Sequence, residues 1–124
     1  MIGEVFGHDT VEQCLEAARS SGDEWATSVA TEMAAKSPTS LKVTLAALRH
    51  ARTLDSLEDC LNMEFRIINR MFHAPDFREG VRAAVIDKDQ SPRWQPASLS
   101  DVSDDAVAAH FAPLGPKELG LTTA

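Results

Sequence analysis

Asp76 and Glu79 stand three residues apart in the stretch DFREGVRAAVIDKDQSPRWQP, with Arg78, Arg82, Lys88 and Arg93 around them. Two carboxylates at this spacing have two readings. They could divide acid–base work between a protonated and an ionised group, or they could close the start of a helix, an N-cap with a glutamate three positions on. The helix cap is the expectation for Asp76 and Glu79. The cations raise a separate question, because guanidinium forks and ammonium groups both hold phosphates. Arg82, Lys88 and Arg93 are therefore candidate contacts for the phosphates of a bulky ligand, set against a solvated face paired with nearby carboxylates. Lys42, Arg49, His50 and Arg52 form a second basic group with the same two readings. Trp94, boxed by Pro92 and Pro96, is expected to fasten its loop to the helices, with a stacking platform for adenine as the alternative.

Other chemistry lacks its residues. His8, His50, His73 and His110 are scattered, and no His-Glu-x-x-His places two imidazoles on one helix face, so no metal ligands are assigned. A nucleophilic serine would need a strained Gly-x-Ser-x-Gly turn and a base, and a phosphate cradle would need clustered glycines. The chain has six glycines, none clustered, and no catalytic residue is assigned. Glu64 borders an apolar stripe and, if buried, would need Arg66, Arg70 or Arg82 as partner. Cys14 and Cys60 lack the spacing of a zinc site or a disulfide framework and read as reduced packing residues.

The elements that must position these groups read as helices throughout. DTVEQCLEAARSS opens with Asp9 three residues before Glu12, and SGDEWATSVATEMAAK with Ser21 before Glu24, so both are expected to start on caps. Val11, Leu15 and Ala18 form one apolar face, and Trp25, Val29 and Met33 another. In SPTSLKVTLAALRHAR, Ser37 is the expected N-cap and Pro38 the first helical residue, with Leu41, Leu45 and Leu48 as its stripe. The longest helix carries Leu57, Leu61, Phe65, Ile68 and Phe72 at helical spacing and ends before Pro75. A short helix starts at Asp76, a proline-containing loop spans 88–100, DVSDDAVAAHFAPLG holds a last short helix, and 112–124 is a tail. No stretch sustains the alternation of a strand. The expectation is an all-α chain, one segment over 1–124, with about five to six irregularly packed helices.

Composition narrows the partners. With 44% hydrophobic and 25% charged residues, the 124-residue chain is ordinary for a globular domain. A net charge of −7 argues against a general nucleic-acid binder, which needs a positive face. No apolar run reaches the roughly 20 residues that span a bilayer. MIGEVFGHD has no basic start followed by an apolar segment, so a cytoplasmic location is expected.

KSPTSLKVTLAAL, LEDCLNMEFRI, DFREGVRAAVIDKDQSPRWQPASLSDV and HFAPLG resemble the C-terminal part of 3-hydroxyisobutyryl-CoA hydrolases, in the crotonase (enoyl-CoA hydratase/isomerase) superfamily. The resemblance runs from about residue 2 to 119. Glu79 and Gly80 match a Glu-Gly pattern shared across crotonases, Ala84 stands where many relatives have Phe, and the following loop is longer. The resemblance implies the C-terminal helical region of a crotonase-like enzyme without its β/α spiral core. In the parent, that core supplies the oxyanion hole, the acidic catalytic residues and most of the CoA tunnel. The substrate is an acyl-CoA of valine breakdown, with no covalently bound cofactor. The C-terminal helices cover the active site or pack on neighbouring subunits, and a basic residue nearest to Lys88 approaches the CoA phosphates. Alone, the segment is expected to be inactive. Its partners are then the crotonase core of its own parent or further copies of itself. The alternative is a stand-alone helical module that self-associates through Leu41, Leu45, Leu48, Phe65 and Phe72. A hydratase or isomerase parent is the other alternative, disfavoured by the loop DKDQSPRWQP.

Overall fold

Helix starts in this chain are set by short polar side chains that accept a backbone N–H two or three positions on. In the computed structural model, which describes residues 2–123, α1 spans Ile2–Phe6 and α2 spans Val11–Ser20. The cap of α2 is Thr10, one residue later than expected: its Oγ1 accepts from Gln13 N at 3.2 Å, while Gln13 Oε1 accepts from the N–H groups of Thr10 and Asp9. Asp9 is thus held by its backbone, and the capping box is Thr–Gln. Helix α3, Glu24–Ala34, is capped by Asp23 and not Ser21, whose hydroxyl instead donates to Ala18 O behind it.

Helix α4, Pro38–Ala51, starts as the sequence indicates, with Ser37 as cap and Pro38 in the first turn. Helix α5, Leu57–His73, is capped by Ser56. Helix α6, Pro75–Val81, follows after one residue in extended conformation, and α7, Asp104–Ala109, is capped by Ser103. Short 3-10 turns occupy Leu99–Asp101 and Gly115–Lys117. Among the described residues there is no strand, and seven α-helices are present. The one beyond the sequence expectation is α1, five residues with no capping signal.

The core lies between α1, α2 and α3, with α4 on its flank. Val5, Val11, Leu15, Ala18, Ala26 and Ala30 are buried together, and Met33, Leu41, Leu45 and Leu99 pack against them. Ala18, Ala26 and Ala30 have no side chain beyond Cβ, which lets the backbones of α2 and α3 approach closely. That selects the Ala26/Ala30 face of α3 for burial and leaves Trp25 46% exposed, so of the expected Trp25, Val29 and Met33 stripe only Met33 packs on the core and Trp25 is turned away from it. Leu41 and Leu45 are likewise used internally and not as a free face.

Helix α5 behaves differently. Its periodic stripe is present, yet only Met63 is buried, and Leu57, Leu61, Ile68 and Phe72 stand exposed. Leu48 of α4 is exposed beside them. The core-facing residues of this chain and its most regular apolar stripe are therefore different sets. No helix among the described residues is long and apolar enough to cross a membrane.

Candidate functional site

Pro75 takes the first turn of α6, so Ala74 is the N-cap and no side chain caps this helix. Asp76 is freed from the expected capping role and reaches outward. Its Oδ2 accepts from the hydroxyl of buried Ser37 at 2.5 Å, and its Oδ1 from Gln95 N at 2.8 Å. One carboxylate thus joins the start of α4, the start of α6 and the returning loop.

Glu79 has a similar tertiary job. Its Oε2 and Oε1 accept from Arg82 Nε and Nη2 at 2.9 and 2.7 Å, and Oε1 also accepts from Arg93 N at 2.8 Å. The bidentate Arg82 fork, followed by the Arg93 N–H, pulls the Glu79 carboxyl down to about 2. Arg82 Nη1 reaches Asp87 and Asp89 at 2.9 and 2.7 Å, and Nη2 reaches Ser91 O at 3.3 Å. These partners, Glu79 first, raise the guanidinium further above its ordinary value and keep it charged. Asp89 is lowered by Arg82 and by the Ser91 N–H.

The chain around this node is unusual. Arg82–Ile86 widens into a π-helical turn, closed by the Asp87 N–H on Arg82 O at 2.8 Å. Lys88 and Gln90 adopt left-handed backbone at φ 55° and 54°. Non-glycine residues pay roughly 1–2 kcal/mol for that region, and the strain persists where surrounding contacts over-determine it. Here the over-determination comes from Arg82 and from Gln90 N on Ala83 O at 3.0 Å. Trp94 closes the loop: its Nε1 donates to Ala35 O at 2.9 Å, and its ring passes 3.4 Å from where a β-carbon on Gly80 would lie. The tryptophan is a fastener with a committed N–H.

The sequence-assigned cations therefore separate. Arg82 is spent on carboxylates inside the loop, whereas Lys88 is exposed and Arg93 contributes its backbone N–H to Glu79, its guanidinium forming no salt bridge among the described residues while its charge still acts on Asp89. Beside them lies an open cavity of about 580 Å³, with Phe77, Val81 and Ile86 as apolar wall, Arg78 and Arg93 as cations, and the already engaged Asp76, Glu79 and Arg82 at its side. The arrangement can receive a ligand with an apolar part and an anionic part. In the second basic group Arg52 is exposed and the other three members are committed elsewhere. Lys42 pairs with Glu12 and donates to Val102 O, each at 3.1 Å; Arg49 clamps the carbonyls of His8 and Asp9; His50 stacks on Phe111. Glu64 is exposed, so it needs no buried partner.

Two further features complete the surface. The first is an apolar groove of about 730 Å³ between α4 and α5, walled by Val43, Leu48, Leu61, Phe65 and Ile68 and edged by Leu119; it contains Leu48 and Phe65 of the expected association surface, while Leu41 and Leu45 pack on the core instead. The second is a polar stripe on α5. Asn62, Arg66 and Arg70 recur one turn apart and each holds part of the segment 112–121. Their spacing of four was the available signal.

A loop-bearing helical array of this kind, with its longest apolar stripe exposed, matches a known family. The enoyl-CoA hydratase/isomerase family model matches residues 1–111, and the chain belongs to that family. Within it, the chain is 43% identical over 97% of its length to a mitochondrial 3-hydroxyisobutyryl-CoA hydrolase from Gallus gallus, and 42% identical over 95% to that of Rattus norvegicus. It is also 40% identical, over 91% of its length, to the small ribosomal subunit protein mS47 of Arabidopsis thaliana. Among solved structures, a carnitinyl-CoA dehydratase from Mycobacterium thermoresistibile superposes with a TM-score of 0.89 at 38% identity, over 96% of this chain and 34% of that one. The chain spans about 31% of the length of the curated hydrolase relatives, and it corresponds to their C-terminal part.

Proposed function

We propose that this chain works as the C-terminal helical part of a 3-hydroxyisobutyryl-CoA hydrolase and is inactive alone. The observation that carries the reading is the 43% identity over 97% of the chain to a hydrolase of which it spans 31%. In the parent reaction water adds to the thioester carbonyl, the C–S bond breaks, and CoA leaves as the thiol with a 3-hydroxy acid as co-product. The oxyanion formed on the way needs preorganised N–H donors, and the helices described here contribute the cover, the subunit packing and part of the CoA surface. Lys88 and Arg93 are the residues that meet CoA phosphate, and Arg82 serves by holding the loop in the shape that presents them. The hydrolase relatives favour this substrate over that of a hydratase or isomerase parent.

The test follows free CoA from 3-hydroxyisobutyryl-CoA, with a chain-only blank to subtract Cys14 and Cys60. No release above the blank is expected from the chain alone, and release is expected from a chimera in which it replaces the matching part of the chicken hydrolase. In that chimera, Lys88→Ala with Arg93→Ala should raise KM by about tenfold with kcat largely kept. Saturable release by the chain alone overturns the reading.

A second reading, a self-associating module, is favoured by the exposed α4–α5 groove. It predicts a mass in light scattering that rises with concentration, and a monomer at all concentrations rules it out. A cytoplasmic location is part of the same proposal. The chicken and rat relatives are mitochondrial hydrolases, and imaging of the tagged full-length protein separates the two.

A further inference from the structure

The segment from Ala112 to Leu121 runs antiparallel to α5 and is held at three levels. At the C-terminal end of α5, Arg70 donates through Nη1 to Ala112 O at 2.7 Å and through Nη2 to Pro113 O at 3.2 Å. One turn earlier, Arg66 Nε donates to Glu118 Oε1 at 2.8 Å, and the same oxygen accepts from Leu114 N at 2.8 Å. One turn earlier again, Asn62 grips Leu121 twice: Nδ2 donates to Leu121 O at 2.8 Å and Oδ1 accepts from Leu121 N at 2.9 Å. Between the last two levels sits Leu119, which lines the edge of the apolar groove shared by Leu48, Leu61 and Ile68.

We propose that residues 112–121 form a releasable strap, latched on Asn62, Arg66 and Arg70, which holds Leu119 along one edge of the α4–α5 groove and sets how far that edge is covered. The contacts that hold it are almost all polar, and no residue of the segment is fully buried. A segment fixed by exposed hydrogen bonds and few apolar contacts opens at a small fraction of the cost of global unfolding. The Arg66–Glu118 ion pair is half-buried and still within reach of solvent, so salt weakens it in part. Gly115 and Gly120, at φ +60° and +68°, let the strap change direction on either side of Glu118 where other residues would be strained. The device is an edge cover with its own latch, and it stands independently of the hydrolase reading.

Cys60 provides a reporter, because it lines the same groove and is half-buried, while Cys14 is buried in the core. The full chain and two variants, Asn62→Ala/Arg66→Ala on the helix side and Glu118→Ala on the strap side, are exposed to a thiol-reactive aromatic disulfide, and each site is assigned by mass spectrometry. Both variants should label at Cys60 faster by on the order of tenfold, with Cys14 protection and helical circular dichroism retained. A synthetic peptide APLGPKELGL added to the double variant should not restore protection, since two of its three latch residues on α5 are gone, but added to Glu118→Ala it should slow Cys60 labelling again. Unchanged Cys60 labelling in both variants overturns the proposal. So does joint exposure of Cys14 and Cys60 with loss of helix, because the segment is then part of the cooperative fold and not a releasable cover.

Discussion

Arg82 concentrates the polar organisation of the loop in one side chain. Three carboxylates, Glu79, Asp87 and Asp89, lie within salt-bridge distance of it, and removing it leaves them facing one another. Arg82→Ala should therefore release the loop, seen as amide exchange at Gln90 and Arg93 faster by on the order of tenfold, with the α2–α3 core amides unchanged. Arg82→Lys should rescue poorly, since an ammonium cannot reproduce the fork. The pH dependence has a definite sign. Glu79 titrates near 4.5 when unfolded and is lowered to about 2 when folded, so its contribution is complete above 4.5 and is lost as pH falls toward 2. Trp94 fluorescence should change over that window, and Glu79→Gln should flatten the change. With Trp94 replaced by Phe, Trp25 supplies the baseline fluorescence. The residue types that build this node were visible in the sequence, but their pairing was not. Asp76 and Glu79 have the spacing of a cap, and only the placement of Pro75 in the first turn turns both carboxylates outward to tertiary partners.

Among the helices, capping separates what local sequence decides from what it leaves open. Ser37 and Pro38 were legible because a serine before a helical proline leaves one arrangement. Thr10 and Asp23 were displaced by a residue or two from the expected Asp9 and Ser21 because Ser, Thr and Asp cap almost equally well, so the turn that delivers the chain makes the choice. Caps also differ in worth. Ser103 accepts a single N–H at an exposed site, and Ser103→Ala should cost about 1 kcal/mol or less in thermal unfolding. Ser37 is buried and both accepts from Ser40 N and donates to Asp76, so Ser37→Ala should cost about 2 kcal/mol, the cap plus a buried acceptor left short of its donor. Equal losses at the two sites would mean that the Asp76 bond adds nothing. The period of α5 was equally plain, but burial of a stripe depends on what packs over it, which no local pattern carries. The strap was out of reach for a related reason: Asn62 and Leu121 are 59 residues apart.

At the scale of the whole molecule, the exposed stripe of α5 and the family membership point the same way. A chain whose own core uses α1 to α4 while Leu48, Leu61, Ile68 and Phe72 stay in solvent has one apolar surface more than it needs to fold. Such patches mark interaction sites, and on the proposed reading the rest of the hydrolase seats there. Substitutions on the two surfaces should then respond differently to context. Leu15 is 4% exposed within the α1–α3 core, and Leu15→Ala should cost roughly 3 kcal/mol both in this chain and in the hydrolase chimera. Ile68 is 55% exposed, and Ile68→Gln should change the stability of the chain alone by no more than about 0.5 kcal/mol. Within the chimera the same glutamine would sit in an apolar contact, and its cost should rise to about 2 kcal/mol or more. Urea unfolding of both variants in both contexts gives the four numbers. If Ile68→Gln remains silent in the chimera, the groove faces solvent there too, and the self-associating module gains over the hydrolase seat.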